Sequence, residues 1–184
     1  MIRKKRNRSG FSLAETLVAI LILLMVSAIV AGAIPTASNV YAKTVDAANA
    51  QVLLSTVITV LRDELSNATS IEKTDDTTIK YINGSYRKLV LQGESESADG
   101  PAPGIWLCIG VLSTDSTSAD VVYSNPGGEN SRLLVSKEAT TKNLTVKFDS
   151  LDYIGGVVIF HNLRVERSGV TLASRESFRI RTIK

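Results

Sequence analysis

The chain has 184 residues, 44% of them hydrophobic, and a formal net charge of +3. That length holds one ordinary domain plus an appendage, which excludes a two-domain enzyme. Arg3, Lys4, Lys5, Arg6 and Arg8 supply five positive charges, turning the net +3 of the whole into −2 for the rest. The basicity is therefore an N-terminal address and not a nucleic-acid footprint.

The basic leader ends in Arg8-Ser9-Gly10, and no charged residue occurs from Thr16 through Ala42. As a helix this run spans a bilayer, for which about 20 apolar residues suffice. Cations before it and none just after keep the N-terminus cytoplasmic and leave the bulk of the chain outside. Glu15 interrupts the apolar segment. A carboxylate at the bilayer centre costs about 2.5 to 3.5 kcal/mol, less near the interface, so it calls for a partner. The plain alternative is an acid resting among headgroups at a helix start, where the helix dipole favours it.

The stretch Gly10-Phe11-Ser12-Leu13-Ala14-Glu15-Thr16-Leu17-Val18-Ala19, behind its short basic leader, resembles the N-terminal signature of type IV prepilins and of the pseudopilins of type II secretion and competence systems. The resemblance implies cleavage between Gly10 and Phe11 by prepilin peptidase and N-methylation of Phe11. It also implies pairing of Glu15 with the N-terminal amine of an adjoining subunit, an attraction that low dielectric strengthens. The implied partners are the peptidase, other pilin or pseudopilin subunits, and an assembly platform with its ATPase. The likeness ends near Pro35, so it names a pathway and not a task.

Two rival readings of the same segment stand beside it. A secretory signal peptide could be cut at Ala31-Gly32-Ala33, although such peptides have apolar cores of about 7 to 15 residues. A permanently anchored single-pass extracellular binding domain would keep Met1 to Gly10.

Pro35 falls where the spanning segment ends, and a proline can kink a helix without ending it. From Thr36 to about Asn67 neither proline nor glycine recurs. Val45, Ala48, Val52, Val57, Val60, Leu61 and Leu65 follow a spacing near three and four, which predicts an amphipathic helix covering a core. Beyond Asn67 the period changes to strands. Thr78 to Ile82 and Tyr86 to Leu91 flank Asn83-Gly84, predicting a hairpin whose two turn residues take positive φ.

Residues 93–104 read as a polar loop. Apolar runs at 105–112, 121–123, 133–135, 144–148, 157–165 and 177–183 read as strands, and turns fall at 125–128, 155–156 and 168–169. The expected fold class is α+β, a long N-terminal helix packed on an antiparallel sheet, as in pilins. The expected organisation is a leader at 1–10, a transmembrane and assembly helix at 11–35, and a head at 36–184 made of a helix (36–67) and a β-rich region (68–184).

Chemistry-bearing residues are sparse. Cys108 is the single cysteine, so it has no disulfide partner in its own chain, and it reads as a buried small hydrophobe. His161, the single histidine, reads as a partly buried strand residue rather than a metal ligand or triad base. Asp75-Asp76 and Asp115 to Asp120 lack a full calcium-loop pattern and read as solvated turns. The sequons at Asn67, Asn83 and Asn143 carry little weight in a bacterial chain.

No phosphate loop or nucleophile elbow is present, so the reading is a non-enzyme without cofactor or metal, and the energy for filament growth must come from another protein. Arg164, Arg167, Arg175, Arg179, Arg181 and Lys184 cluster near the C-terminus and could meet DNA phosphates, but alternation with Phe178, Ile180 and Thr182 already explains them as the wet face of a strand. Nucleic acid is not the expected partner. The overall expectation is a single-pass cytoplasmic-membrane precursor with an extracytoplasmic head, later a minor subunit of a pilus or pseudopilus.

Overall fold

The computed structural model describes residues 12–92, 101–113, 120–134 and 144–183. Helix α1 (Leu13–Ser66) is followed by strands β1 (Thr69–Asp75), β2 (Thr78–Asn83), β3 (Ser85–Gln92), β4 (Gly104–Leu112), β5 (Val121–Tyr123), β6 (Ser131–Leu133), β7 (Thr145–Lys147), β8 (Ser150–Ile154), β9 (Val157–Arg167) and β10 (Val170–Arg181). This is the α+β architecture expected from the sequence, a long apolar N-terminal helix with antiparallel β-structure after it.

Internal contacts divide the chain after Val45. In the first unit every described residue through Thr44 is exposed, and α1 continues through Pro35. Proline donates no backbone hydrogen bond, which frees a carbonyl one turn back. Beside it the Thr36 hydroxyl donates to the Gly32 carbonyl at 3.3 Å.

The second unit, Asp46 to Lys184, holds the folded body of the head. Here α1 buries Ala50, Leu53, Leu54, Val57, Leu61 and Leu65. The expected stripe is thus partly corrected, since Ala48 is exposed and Val52 is 65% exposed. Steps of four, three, four and four from Ala50 to Leu65 keep one face inward, and Val52 falls off that face.

The β-region forms two sheets. In one, the order is β1-β2-β3-β4-β5, with β6 also on β4; in the other it is β10-β9-β7, with β8 also on β9. Every pairing is antiparallel. Side chains from both sheets and from α1 share one core, which includes Ile79, Leu89 and Leu107 from the first sheet and Leu151, Phe160 and Leu163 from the second. Phe160 is its centre on the second sheet, edge-on to Phe148 at 5.3 Å and stacked with Phe178 at 6.2 Å.

The β2–β3 hairpin corrects the expected turn. Asn83 pairs with Ser85 as a strand residue, and Gly84 alone takes positive φ, at 68°. Tertiary structure holds Asn83 in the strand, because its side-chain amide donates to the Glu64 carbonyl at 2.9 Å, near the C-terminal end of α1. Carbonyls in a helix's last turn lack helical partners, and Asn83 supplies one. The Glu64 carboxylate in turn accepts from Arg87 Nη1 at 2.6 Å and from the Tyr81 hydroxyl at 3.1 Å.

Strands β1 and β8 were not expected, and β10 begins well before residue 177. β1 reads Thr-Ser-Ile-Glu-Lys-Thr-Asp and has no buried residue, so no apolar alternation announces it. Its far end meets β8, where the Leu151 amide donates to the Asp76 carbonyl at 2.8 Å. Lys73 then bridges Asp76 (2.8 Å) and Asp152 (2.9 Å). Residues 135–143 lie outside the described set, and the expected strand at 133–135 corresponds to β6, two residues earlier.

Glu166, Asp149 and Asp152 are among the head carboxylates held below the ordinary carboxylate range. Hydrogen bonds from Arg164 and, secondarily, Lys147 depress Glu166. Bonds from Asn162, then Arg164, depress Asp149, and bonds from Lys73, then His161, depress Asp152. A folded-state pKa below the unfolded one contributes stability above the ordinary range and loses it as pH falls through the folded value. The urea midpoint of the full chain in detergent, followed by the fluorescence of Trp106, is therefore expected to decline below about pH 4. A midpoint unchanged down to about pH 2 would show that these acids are not held as ions.

Candidate functional site

The start of α1 is the first place to look, because the carboxylate that the sequence singles out lies there. Ser12 is the N-cap. Its hydroxyl accepts from the Glu15 amide at 3.3 Å, and Glu15 Oε2 accepts from the Ser12 amide at 2.8 Å. This reciprocal pair is a capping box, which satisfies two amides that a helix start otherwise leaves without partners. The Ser12 carbonyl accepts from the amides of Glu15 and Thr16 at 3.0 and 3.2 Å. Thr16 Oγ1 donates to the Leu13 carbonyl at 2.8 Å.

The capping box was missed in the sequence reading, although Ser12-x-x-Glu15 before an apolar run is its signature. It matters because it gives Glu15 a local duty. Gly10 and Phe11 lie outside the described residues, so of the three expected site residues only Glu15 is placed.

Ala14, Glu15, Val18, Ala19 and Ile22 line a shallow groove of about 370 Å³ on the open side of the helix. Alanine at two of these positions keeps the surface low, and the carboxylate marks its N-terminal end. Around and beyond it Leu17, Leu21, Leu24 and Met25 are each more than half exposed. So much contiguous apolar surface is not a water-facing one, and lipid or other apolar helices are the surroundings it suits. By length and composition α1 can cross a membrane.

The remaining candidates resolve differently. Cys108 is fully buried, and burial raises its thiol pKa, so it is not poised as a nucleophile. His161 Nε2 lies 3.1 Å from Asp152 Oδ2, beside the Lys73 bridge. Asp75 accepts from the Thr77 amide and hydroxyl at 2.7 and 2.9 Å, closing a tight turn after β1. Among the described residues no group of three or more His, Cys, Asp or Glu side chains is arranged to hold a metal ion. Asp115 lies outside the described residues.

The C-terminal cations, which sequence groups together, separate. Arg164 is paired with Glu166 and Asp149, and Arg167 with Asp46. Phe178, Ile180 and Thr182 are buried while Arg175, Arg179 and Arg181 are exposed.

Comparison with known proteins adds one finding. Residues 5–31 match the prokaryotic N-terminal methylation motif, which is the type IV prepilin-like signature. That motif marks type IV pilin-like and pseudopilin substrates of prepilin peptidase, and with the apolar helix it supports membrane anchoring with a C-terminal head. No curated protein and no solved structure matched the chain.

Proposed function

We propose that this chain is a subunit, minor in its filament, of a type IV pilus or pseudopilus. Prepilin peptidase cuts it between Gly10 and Phe11, the new amine of Phe11 is methylated, and α1 carries the product into the polymer. Residues 1–10 are the leader, 11–35 the transmembrane and assembly segment, and 36–184 the head. The subunit does no catalysis of its own, and the platform and ATPase of the assembly machinery supply the work of extension.

The observation that carries this reading is a single carboxylate, Glu15, at the head of an exposed apolar helix and inside the matched motif. A capping box accounts for the side chain but not for a charge, since an uncharged glutamine completes the box as well. An amine liberated four residues upstream, on a neighbouring copy or sister subunit, has a use for it: the pair neutralises two charges that are each costly in lipid. Heterologous head-to-tail contacts of this kind propagate as open filaments.

A second reading draws on the capping box. If Glu15 serves only its own helix, the chain is a single-pass anchored binding domain that keeps Met1 to Gly10. Mass spectrometry of the N-terminal peptide separates the two. The filament reading expects a chain beginning at Phe11 and carrying one added methyl group, and it expects Gly10→Leu to retain the leader. Cleavage of Gly10→Leu at the same bond, or an uncut wild type, would overturn it.

A further inference from the structure

Strand β10 is the outer strand of its sheet, with β9 on one side and no described strand on the other. The Thr182 amide donates to the Gly156 carbonyl at 2.9 Å, and the register runs evenly from Ala173 to Arg181. Successive residues of an antiparallel strand present their peptide groups to opposite edges. Glu176, Phe178 and Ile180 therefore bond toward β9. Arg175, Ser177, Arg179 and Arg181 point their amides and carbonyls at the open side.

All four of these residues are exposed, and three carry a guanidinium. None of the three arginines has an ion-pair partner among the described residues, whereas Lys73, Arg87, Lys147, Arg164 and Arg167 are all paired. Arg62 adds a further cation nearby, 5.9 Å from the centre of the Phe178 ring. Alongside the edge, Gln51, Leu54, Ser55 and Ile58 of α1 and Ser174 and Arg175 of β10 line a groove of about 310 Å³. Leu54 and Ile58 give it an apolar floor.

Edge charges ordinarily keep strands from pairing with one another. Charges of one sign do something narrower. Pairing of β10 with a second copy of itself would set arginine against arginine, which is unfavourable across a sheet. An acidic strand would meet the arginines favourably, complete the open peptide groups and place an apolar side chain in the groove. We propose that the open edge of β10 is a docking site for an acidic, extended segment of a partner protein, received by strand addition. This surface is independent of the cleavage and assembly proposed above.

The test uses the full chain in detergent micelles and a fluorescein-labelled peptide of alternating Glu and Val, read by anisotropy. Saturable binding is expected. The exposed double variant Arg179→Glu/Arg181→Glu should weaken it at least about tenfold and should take an alternating Lys and Val peptide instead. Methylating alternate backbone nitrogens of the Glu–Val peptide keeps its charge but removes its edge amides, and is expected to weaken binding by a similar factor. No binding would mean that the arginines only protect the edge. Equal binding of the methylated peptide would reduce the site to charge alone, and preference for short duplex DNA would replace the peptide with a phosphate polymer; each of these outcomes overturns the proposal.

Discussion

Glu15→Gln is expected to leave cleavage after Gly10 intact and to abolish entry of the subunit into filaments. The substitution is chosen because glutamine completes a capping box as glutamate does. Ser12 keeps its reciprocal bond, the start of α1 is preserved, and only the charge is lost. If Glu15 answers the Phe11 ammonium of an adjoining subunit, that ammonium is left unpaired in an apolar layer. Removing one partner of a buried ion pair costs about 3 to 5 kcal/mol, which is about two to three and a half orders of magnitude in association. Filaments sheared from cells and probed for this chain should contain none of the variant, while the membrane fraction holds the trimmed form. Wild-type amounts in the sheared fraction would assign Glu15 to the capping box alone.

The second large effect lies in the head. Phe160→Ala is expected to cost about 3 to 5 kcal/mol of head stability, a large share of the roughly 5 to 15 that a domain has. Phe160 is fully buried and touches both neighbouring rings, Phe148 on the loop between β7 and β8 and Phe178 on β10. Those elements are joined through β9, so a void there loosens the sheet from two sides. Urea unfolding of the full chain in detergent, read at Trp106, measures the loss. Val122→Ala serves as the comparison, since Val122 is 63% exposed and its truncation should stay within about 0.5 kcal/mol. Equal midpoints for the two variants would remove Phe160 from the centre of the core.

The two experiments divide the molecule as its chemistry does. Glu15→Gln is expected to change how the chain meets other chains and to leave the head folded. Phe160→Ala is expected to weaken the head and to leave the helix start untouched.

What is legible in this chain without its structure is one-dimensional. Five N-terminal cations, an uncharged run and one acid inside it are matters of order along the chain, and the bilayer asks nothing more of a spanning helix than length and apolarity. Glu15 is legible as an exception to the apolar run, and its bond to Ser12 is written in the serine three residues earlier. The hairpin was found from Asn83-Gly84, but Asn83 was assigned to the turn. Its actual duty, closing the end of α1, depends on Glu64 lying close in space.

Strand β1 was invisible for a related reason. It has no fully buried residue and sets only Ile71 against the core, so its place rests mainly on backbone pairing with β2 and on Lys73 reaching Asp152, a residue on another sheet. The basic C-terminus alternates as a strand with one wet face should, but its sequence does not say which cations are paired. Folding takes Arg164 and Arg167 into ion pairs with Asp149, Glu166 and Asp46, and leaves Arg175, Arg179 and Arg181 on an open edge.

By itself the sequence determined the run of N-terminal cations, the long apolar helix, the acid within it and the α+β character of the chain, because charge order, apolar length and residue period are local properties. Only the tertiary structure decided which face of α1 is covered, how the strands divide into two sheets and which cations remain unmatched. Those outcomes depend on the register of strand pairs and on ion pairs between residues as far apart as Asp46 and Arg167. Such partners are selected by closure of a shared core, which no local pattern carries.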